Sequence, residues 1–275
     1  MPTLYLVATP IGNLEDVTLR ALRILGEVSL VLAEDTRTAR KLLSHHGVPR
    51  RRLLSYNEHN MRRRTPQVLT ALREGDVALV SEAGTPGISD PGYELVRAAI
   101  EAGFEVSPVP GPSAVVAALA ASGLPSREFT FLGFLPRRST ERCRLFAGLA
   151  SDPRTLVAFE SPHRLRATLE DMRQAWGDRR IAVCRELTKL YEEFFRGTVS
   201  QALERFLEPR GEFTLVIEGA SLERPEPSED AIRAALGRLT ASGMSAKDAV
   251  AQVARDLGAP RRRVYSIAVA KADDT

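Results

Sequence analysis

Short runs of Val, Leu and Ile recur along this chain, and the segments between them carry apolar residues at three- and four-residue spacing. This switch between a period of two and a period of 3.6 marks βα units, whose strands join one sheet while the helices return across its faces. It predicts strands over 4–8, 29–33, 52–55, 77–81 and 105–109, with helices over 18–25, 36–46, 65–74 and 93–102 between them. Residues 1–122 therefore read as one α/β domain. Turn residues in Gly123-Leu124-Pro125-Ser126 and Gly133-Phe134-Leu135-Pro136-Arg137-Arg138 then break the pattern, so 123–138 is expected to be a linker. A second α/β domain runs over 123–222, with strands over 155–159, 180–184, 193–197 and 213–218 and helices over 164–176 and 200–206. After it, Glu223-Arg224-Pro225-Glu226-Pro227-Ser228 is a polar connector with no apolar period.

Residues 228–275 read as a small helical module. Ser245-Ala246-Lys247-Asp248 has the form of a capping box, Leu257-Gly258-Ala259 stops that helix, and Pro260 suits the first turn of the next. Ala249, Val250, Val253 and Leu257, then Val264, Ile267 and Val269, are spaced as in a helix-turn-helix, with a plain helical hairpin as the alternative.

Composition closes off other classes. At 275 residues, 44% hydrophobic and 27% charged, the chain has a globular make-up rather than a disordered or fibrous one. No apolar run approaches the roughly 18 residues of a membrane span. Met1-Pro2-Thr3 leads straight into Leu4 without a basic segment or cleavage site, so a cytoplasmic location and no membrane partner are expected. Cys143 and Cys184 form no CxxC, which points to buried free thiols and to no metal site. A formal net charge of +3 conceals a strong asymmetry. Between Arg37 and Arg64 stand Arg37, Arg40, Lys41, Arg50, Arg51, Arg52, Arg62, Arg63 and Arg64 against Glu58 alone. Such a run fits either a phosphate-rich partner or arginine-rich solvated faces.

Three loops each follow a strand, where open α/β sheets bind ligands. They are Thr9-Pro10-Ile11-Gly12-Asn13-Leu14-Glu15-Asp16, the twelve residues from Ser81 to Gly92, and Pro110-Gly111-Pro112-Ser113-Ala114. Glycine allows the backbone to approach a ligand and proline stiffens the turn. None is GxGxxG or GxxxxGK, so the common dinucleotide and triphosphate cradles are absent. Three glycine- and proline-rich loops at corresponding strand ends point to one shared crevice.

Val7-Ala8-Thr9-Pro10-Ile11-Gly12-Asn13-Leu14-Glu15-Asp16, Ala33-Glu34-Asp35-Thr36-Arg37, Ser81-Glu82-Ala83-Gly84-Thr85-Pro86-Gly87-Ile88-Ser89-Asp90-Pro91-Gly92, Pro110-Gly111-Pro112-Ser113, Glu160-Ser161-Pro162-His163-Arg164, Arg185-Glu186-Leu187-Thr188-Lys189 and Gly211-Glu212-Phe213 follow one another in order. Together they resemble the tetrapyrrole methylase superfamily of S-adenosylmethionine (SAM) enzymes, over nearly the whole chain. They are most similar to the branch that 2′-O-methylates a cytidine of 16S rRNA in the small (30S) ribosomal subunit. The resemblance implies two α/β/α domains with a cofactor cleft between them, a C-terminal helix-turn-helix-like module, and a homodimer. It implies SAM contacts at Pro10, at Ser81, Gly84, Thr85 and Ile88, at Ser113 and Ala114, and from the second domain at Phe159, Phe213 and Thr214. Where the tetrapyrrole-methylating relatives have Gly-Asp-Pro, this chain has Gly84-Thr85-Pro86, and Thr85 offers no carboxylate.

A ribose 2′-hydroxyl attacks a sulfonium methyl only when its proton is removed or shared, so a general base within about 3 Å is expected. Candidates are Lys189, Glu186, Glu160 and His163 from the second domain and Glu34 and Asp35 from the first. Lys189 is one of only four lysines among 38 basic residues, and lysine, unlike arginine, can give up its proton. An ion pair with Glu186 or Glu193 is the competing role. For the substrate, the residues expected to bind are Arg37, Arg40, Lys41, Arg51, Arg52 and Arg63 on phosphates, with Glu34, Asp35 and His163 beside them and Tyr56 or His59 stacking on a base. Arg261, Arg262 and Arg263 would add contacts from the terminal module. Two other functions compete: a methylase of a small tetrapyrrole precursor, against which the basic run and Thr85 speak, and a catalytically silent nucleic-acid-binding module.

Overall fold

The computed structural model describes residues 2–49, 51–221 and 227–270. Met1–Gly219 forms one compact unit and Ala220–Thr275 a second.

The first unit holds two five-stranded sheets. In the first, β1 (Thr3–Val7), β2 (Leu30–Ala33), β3 (Arg52–Ser55), β4 (Val77–Val80) and β5 (Glu105–Val109) lie in the order β3-β2-β4-β1-β5, with every pairing parallel. The helices are α1 (Leu19–Glu27), α2 (Thr36–His45), α3 (Met61–Glu74) and α4 (Tyr93–Glu101). Strand residues sort by parity, as side chains alternating across a sheet must. Val31, Ala33, Ala78 and Val80 pack with Ile24, Leu25 and Leu43 of α1 and α2. Leu30, Leu32, Val77 and Leu79 pack with Val68, Leu72 and Leu95 of α3 and α4 on the other face. Strands apolar on both faces are what a doubly covered parallel sheet requires. From β1 the chain winds to one side and from β4 to the other, so the switch point lies between these two neighbours. It is there that open α/β sheets bind ligands. Thr9 and Gly84, just beyond the two strands, exchange backbone hydrogen bonds of 2.9 and 3.0 Å, tying their loops together.

Helix α5 (Ala114–Ser122) follows β5 in the chain but packs on the second sheet. That sheet consists of β6 (Phe129–Phe134), β7 (Thr155–Glu160), β8 (Arg180–Arg185), β9 (Glu193–Thr198) and β10 (Phe213–Ile217), in the order β6-β7-β10-β8-β9. Only β6 and β7 pair in parallel; the remaining neighbours are antiparallel. One face packs against α6 (Ser139–Gly148), α7 (Pro162–Trp176) and α8 (Val199–Arg205), and the other against Val115, Ala118 and Leu119 of α5. A nearly all-apolar helix such as α5 suits this buried position.

The stretch 123–138 is therefore no plain linker, since it contains β6. Gly133 at φ +66°, where the pairing with β7 shifts register, and the nearby prolines gave the strand the look of a turn. Helix α3 also begins at Met61, four residues before the expected start. Pro66 lies in its second turn, and Asn60 stands at its N-terminus.

The second unit packs α9 (Glu229–Ala241), α10 (Ala246–Leu257) and α11 (Arg261–Ala270) around Ile232, Leu236, Val250, Val253, Val264 and Ile267. Ser245 caps α10 by accepting from the Asp248 N–H and donates its hydroxyl to the Asp248 carboxylate, which does not reach back to the cap backbone as a full capping box would. Gly258, at φ +64°, ends the helix in the left-handed conformation that glycine adopts readily. The polar connector lies outside the described residues except for Pro227 and Ser228.

Candidate active site

A cleft of about 610 Å³ runs between the two sheets of the first unit. The loop after β4 supplies Gly84, Thr85, Ile88 and Asp90, and the start of α5 supplies Ser113 and Ala114. The second sheet adds Phe131, Phe134, Phe159, Cys184, Phe213 and Thr214. Eight of the ten residues expected to meet a cofactor thus line one cavity. Pro10 and Ser81 do not line it, but the buried Ser81 hydroxyl donates to the Gly84 carbonyl at 3.0 Å, bracing the loop.

The cleft wall also includes residues that the sequence did not single out. Phe131 and Phe134 were hidden by the expected linker. Their rings flank Phe159 with centroids 5.0 and 5.4 Å away. Asp90 was legible in the motif but had no assigned role. Burial, with the Glu34 and Glu82 carboxylates nearby, pushes its carboxyl up to about 6, and the neighbouring Ser81 hydroxyl offsets only part of this. Glu34 is raised in turn by burial, Glu82 and Glu58. Cys184 is a free thiol that burial pushes up to about 12, so it stays neutral and unreactive.

Glu212 lines the cleft on the second-sheet side, and behind it Lys189, itself not a lining residue, contacts Glu212 Oε2 at 2.9 Å and Glu186 Oε1 at 3.0 Å through Nζ. Burial alone would lower its pKa, but hydrogen bonds to the two carboxylates outweigh that and hold it above the ordinary lysine range. The ammonium is a fixed cation here and cannot accept a proton while so paired. Glu193 pairs with Arg185 and Arg205 instead. Glu186, at φ +49°, and Thr188, at φ +65°, place non-glycine residues in the left-handed region, a strain that concentrates at functional sites. The first loop holds this turn: Asn13 N–H donates to Thr188 Oγ1 at 3.0 Å. A Cβ on Gly12 would come within 2.5 Å of the Lys189 side chain and 2.9 Å of the Leu187 carbonyl.

Glu160, a candidate base, lines the cleft but has no free oxygen to offer. Its Oε1 accepts from Ser161 N–H and pairs with Arg164, both at 2.7 Å, and Oε2 accepts from the Thr168 hydroxyl at 2.7 Å. Its side chain is wholly buried, which makes it a brace for the start of α7. His163 is exposed on the first turn of that helix. Asp35 caps α2 and chelates Arg37, which holds its carboxyl down to about 2.

The basic run divides. Arg37, Arg62 and Arg63 sit at helix starts on the carboxyl edge of the first sheet, with Arg40 and Lys41 farther along α2. Arg37 feels the Glu82 carboxylate of the cleft. Arg51 and Arg52 stand at the entrance of β3, on the opposite edge, which removes them from the face beside the cleft because a parallel strand must be crossed between them and its loops. Arg50 lies outside the described residues. Tyr56 is buried in the core with its hydroxyl 3.0 Å from Thr65 Oγ1, so it offers no stacking face, whereas His59 is exposed. Among the described residues no group of three His, Cys, Asp or Glu is arranged to hold a metal ion, and no helix is long and apolar enough to cross a membrane.

Two sheets meeting at the carboxyl edge of the first, over one crevice, define a methylase architecture. Residues 3–203 match the model of tetrapyrrole (corrin/porphyrin) methylases, and the chain belongs to that family. Within it the chain belongs with ribosomal RNA small subunit methyltransferase I. It is 48% identical to the protein of that name from Halalkalibacterium halodurans, over 96% of this chain and 94% of the relative. The Synechocystis protein of the same name is also 48% identical, over 98% of each chain. Residues 226–272 match the RsmI C-terminal HTH domain. Among solved structures, uroporphyrin-III C-methyltransferase from Thermus thermophilus complexed with S-adenyl homocysteine superposes at a TM-score of 0.56 with 21% identity, over 78% of this chain and 97% of that one.

Proposed function

We propose that this chain uses SAM to methylate the ribose 2′-hydroxyl of a cytidine in the 16S rRNA of the small ribosomal subunit. The observation that carries the reading is the 610 Å³ cleft, whose wall includes the Asp90 carboxyl and Glu212, one of the two carboxylates that hold Lys189. The names of the full-length relatives support it.

The cleft fits the cofactor. Its volume lies in the range of small-molecule sites, roughly 300–1,000 Å³. Five phenylalanine rings, those of Phe129, Phe131, Phe134, Phe159 and Phe213, and the Asp90 and Glu82 carboxylates suit a molecule that joins an aromatic base to a sulfonium cation. Gly84, Thr85, Ile88, Ser113, Ala114, Phe159, Phe213 and Thr214 would hold it. When bound, SAM supplies an electrophilic methyl group. The protein supplies orientation, which accounts for much of the acceleration in an in-line displacement, together with a proton acceptor. Asp90 takes that role, because a carboxylate near pKa 6 is ionised at neutral pH and still basic enough to accept the hydroxyl proton. The Lys189 ammonium, held by Glu186 and Glu212, orients the hydroxyl and stabilises charge developing on its oxygen. Cys184, kept protonated, does not compete for the methyl group.

Arg37, Arg40, Lys41 and Arg63 grip phosphates on the substrate side, and His163 lies at its far rim. The enzyme acts in the cytoplasm as a homodimer; Leu190 and Tyr191, exposed immediately after Lys189, support a self-association surface. Incubation with labelled SAM and either 30S particles or free rRNA, followed by mapping of the modified nucleotide, tests the reading. Label on a base, or no label on RNA, would overturn it.

A further inference from the structure

A second cavity of about 390 Å³ adjoins the cleft and shares Phe134 and Ser161 with it, while Leu135, Arg137 and Arg164 complete the wall. Phe134 is 60% exposed although its ring packs against Phe159, so one aromatic face stays open. The two arginines differ. Arg164 is spent on structure: its guanidinium contacts Glu160 at 2.7 Å, Ser161 Oγ at 3.0 Å and the Leu135 carbonyl at 2.9 Å. Arg137 is exposed and makes no ion pair among the described residues.

Its backbone, by contrast, is anchored. The buried Arg142 donates to the Pro136 carbonyl at 3.1 Å and the Arg137 carbonyl at 3.4 Å. Asp171 holds Arg142 at 2.7 Å and accepts the Ser139 hydroxyl at 3.0 Å. A buried ion pair contributes little net stability, because desolvation offsets the attraction. Here it fixes the loop that presents an uncommitted guanidinium beside an open aromatic ring.

We propose that this second cavity is the subsite for the nucleotide that is methylated, its base stacked on Phe134 and a flanking phosphate paired with Arg137. Aromatic stacking and guanidinium–phosphate pairing are how proteins hold a nucleotide splayed out of an RNA strand. The shared wall then sets the ribose toward the cleft. This rests on the reading of the chain as an RNA methyltransferase and names the part of the protein that selects the reacting nucleotide.

The test compares wild type with Arg137→Ala, Phe134→Leu and Phe134→Tyr, measuring 30S-subunit affinity against salt, KM for 30S subunits, SAM affinity and melting temperature. Arg137→Ala is expected to weaken 30S binding about tenfold and reduce the salt slope by about one, with SAM affinity and melting temperature unchanged. Phe134→Leu should raise KM for 30S subunits about tenfold, and Phe134→Tyr should restore it. Wild-type 30S affinity and salt slope in Arg137→Ala would overturn the subsite. Failure of the wild type to methylate rRNA would remove the parent reading instead, and the binding comparison would still decide the subsite.

Discussion

The two walls of the cleft carry charge in opposite ways. On the first-sheet side, burial and the neighbouring Glu34 and Glu82 carboxylates raise Asp90. On the second-sheet side, one cation, Lys189, is shared by Glu186 and Glu212. The first side therefore holds a carboxyl whose ionisation its surroundings oppose, and the second a cation whose charge its surroundings secure. On the proposed mechanism, the first supplies a place to put a proton and the second a fixed positive charge, a division that a symmetric pair of ion pairs would not provide.

Removing the fixed cation should have the largest effect. Lys189→Ala is expected to lower kcat on the order of 10³-fold while leaving SAM affinity nearly intact; near-normal single-turnover rates would take Lys189 out of the mechanism. Asp90→Asn should cost about 10²-fold. Wild-type activity should rise with pH through about 6, as Asp90 ionises, and the variant should lose that limb. The stability consequence has the opposite sign. A carboxyl with a folded pKa above its unfolded value favours the fold below about pH 4 and loses that contribution as pH rises through about 6. Asp90→Asn should therefore melt above wild type at pH 8 and level with it at pH 4, and an identical difference at both pH values would break the contrast between the walls.

Smaller effects should follow from the contact that holds the walls in register. Gly12→Val drives a side chain into Lys189 and the Leu187 carbonyl, so kcat should fall about tenfold and stability by roughly 1–3 kcal/mol. The smallest effect sharpens the picture at the rim. Arg63→Ala should weaken RNA binding a few-fold and lower the salt slope by about one, whereas Arg52→Ala, on the opposite edge, should change neither. Equal losses in both would mean that the basic run acts as a diffuse field.

Much of the cofactor wall could be read along the chain because a parallel sheet gathers its strand-end loops onto one edge. Once the strands were placed, the loops at Gly84 and Ser113 had to be neighbours. Lys189 stood out by composition, and Arg185-Glu186-Leu187-Thr188-Lys189 by motif. Phe131 and Phe134 did not, since Gly133 and the prolines around β6 gave a paired strand the local chemistry of a turn. Tyr56 had the composition of a stacking residue, and only packing shows that its ring belongs to the core.

The sequence by itself determined the βα alternation, the family and the loops that meet at the cleft, because these follow from residue periodicity and from glycine and proline at strand ends. Only the tertiary structure decided the ionisation of the site and the sorting of its arginines. Asp90 is raised by burial and by a carboxylate as distant in the chain as Glu34, and Lys189 is held by Glu212 as well as by its near neighbour Glu186. Arg52 and Arg63 fall on opposite edges because a strand runs between them, and neither long-range electrostatics nor strand direction is a property of residues taken one stretch at a time.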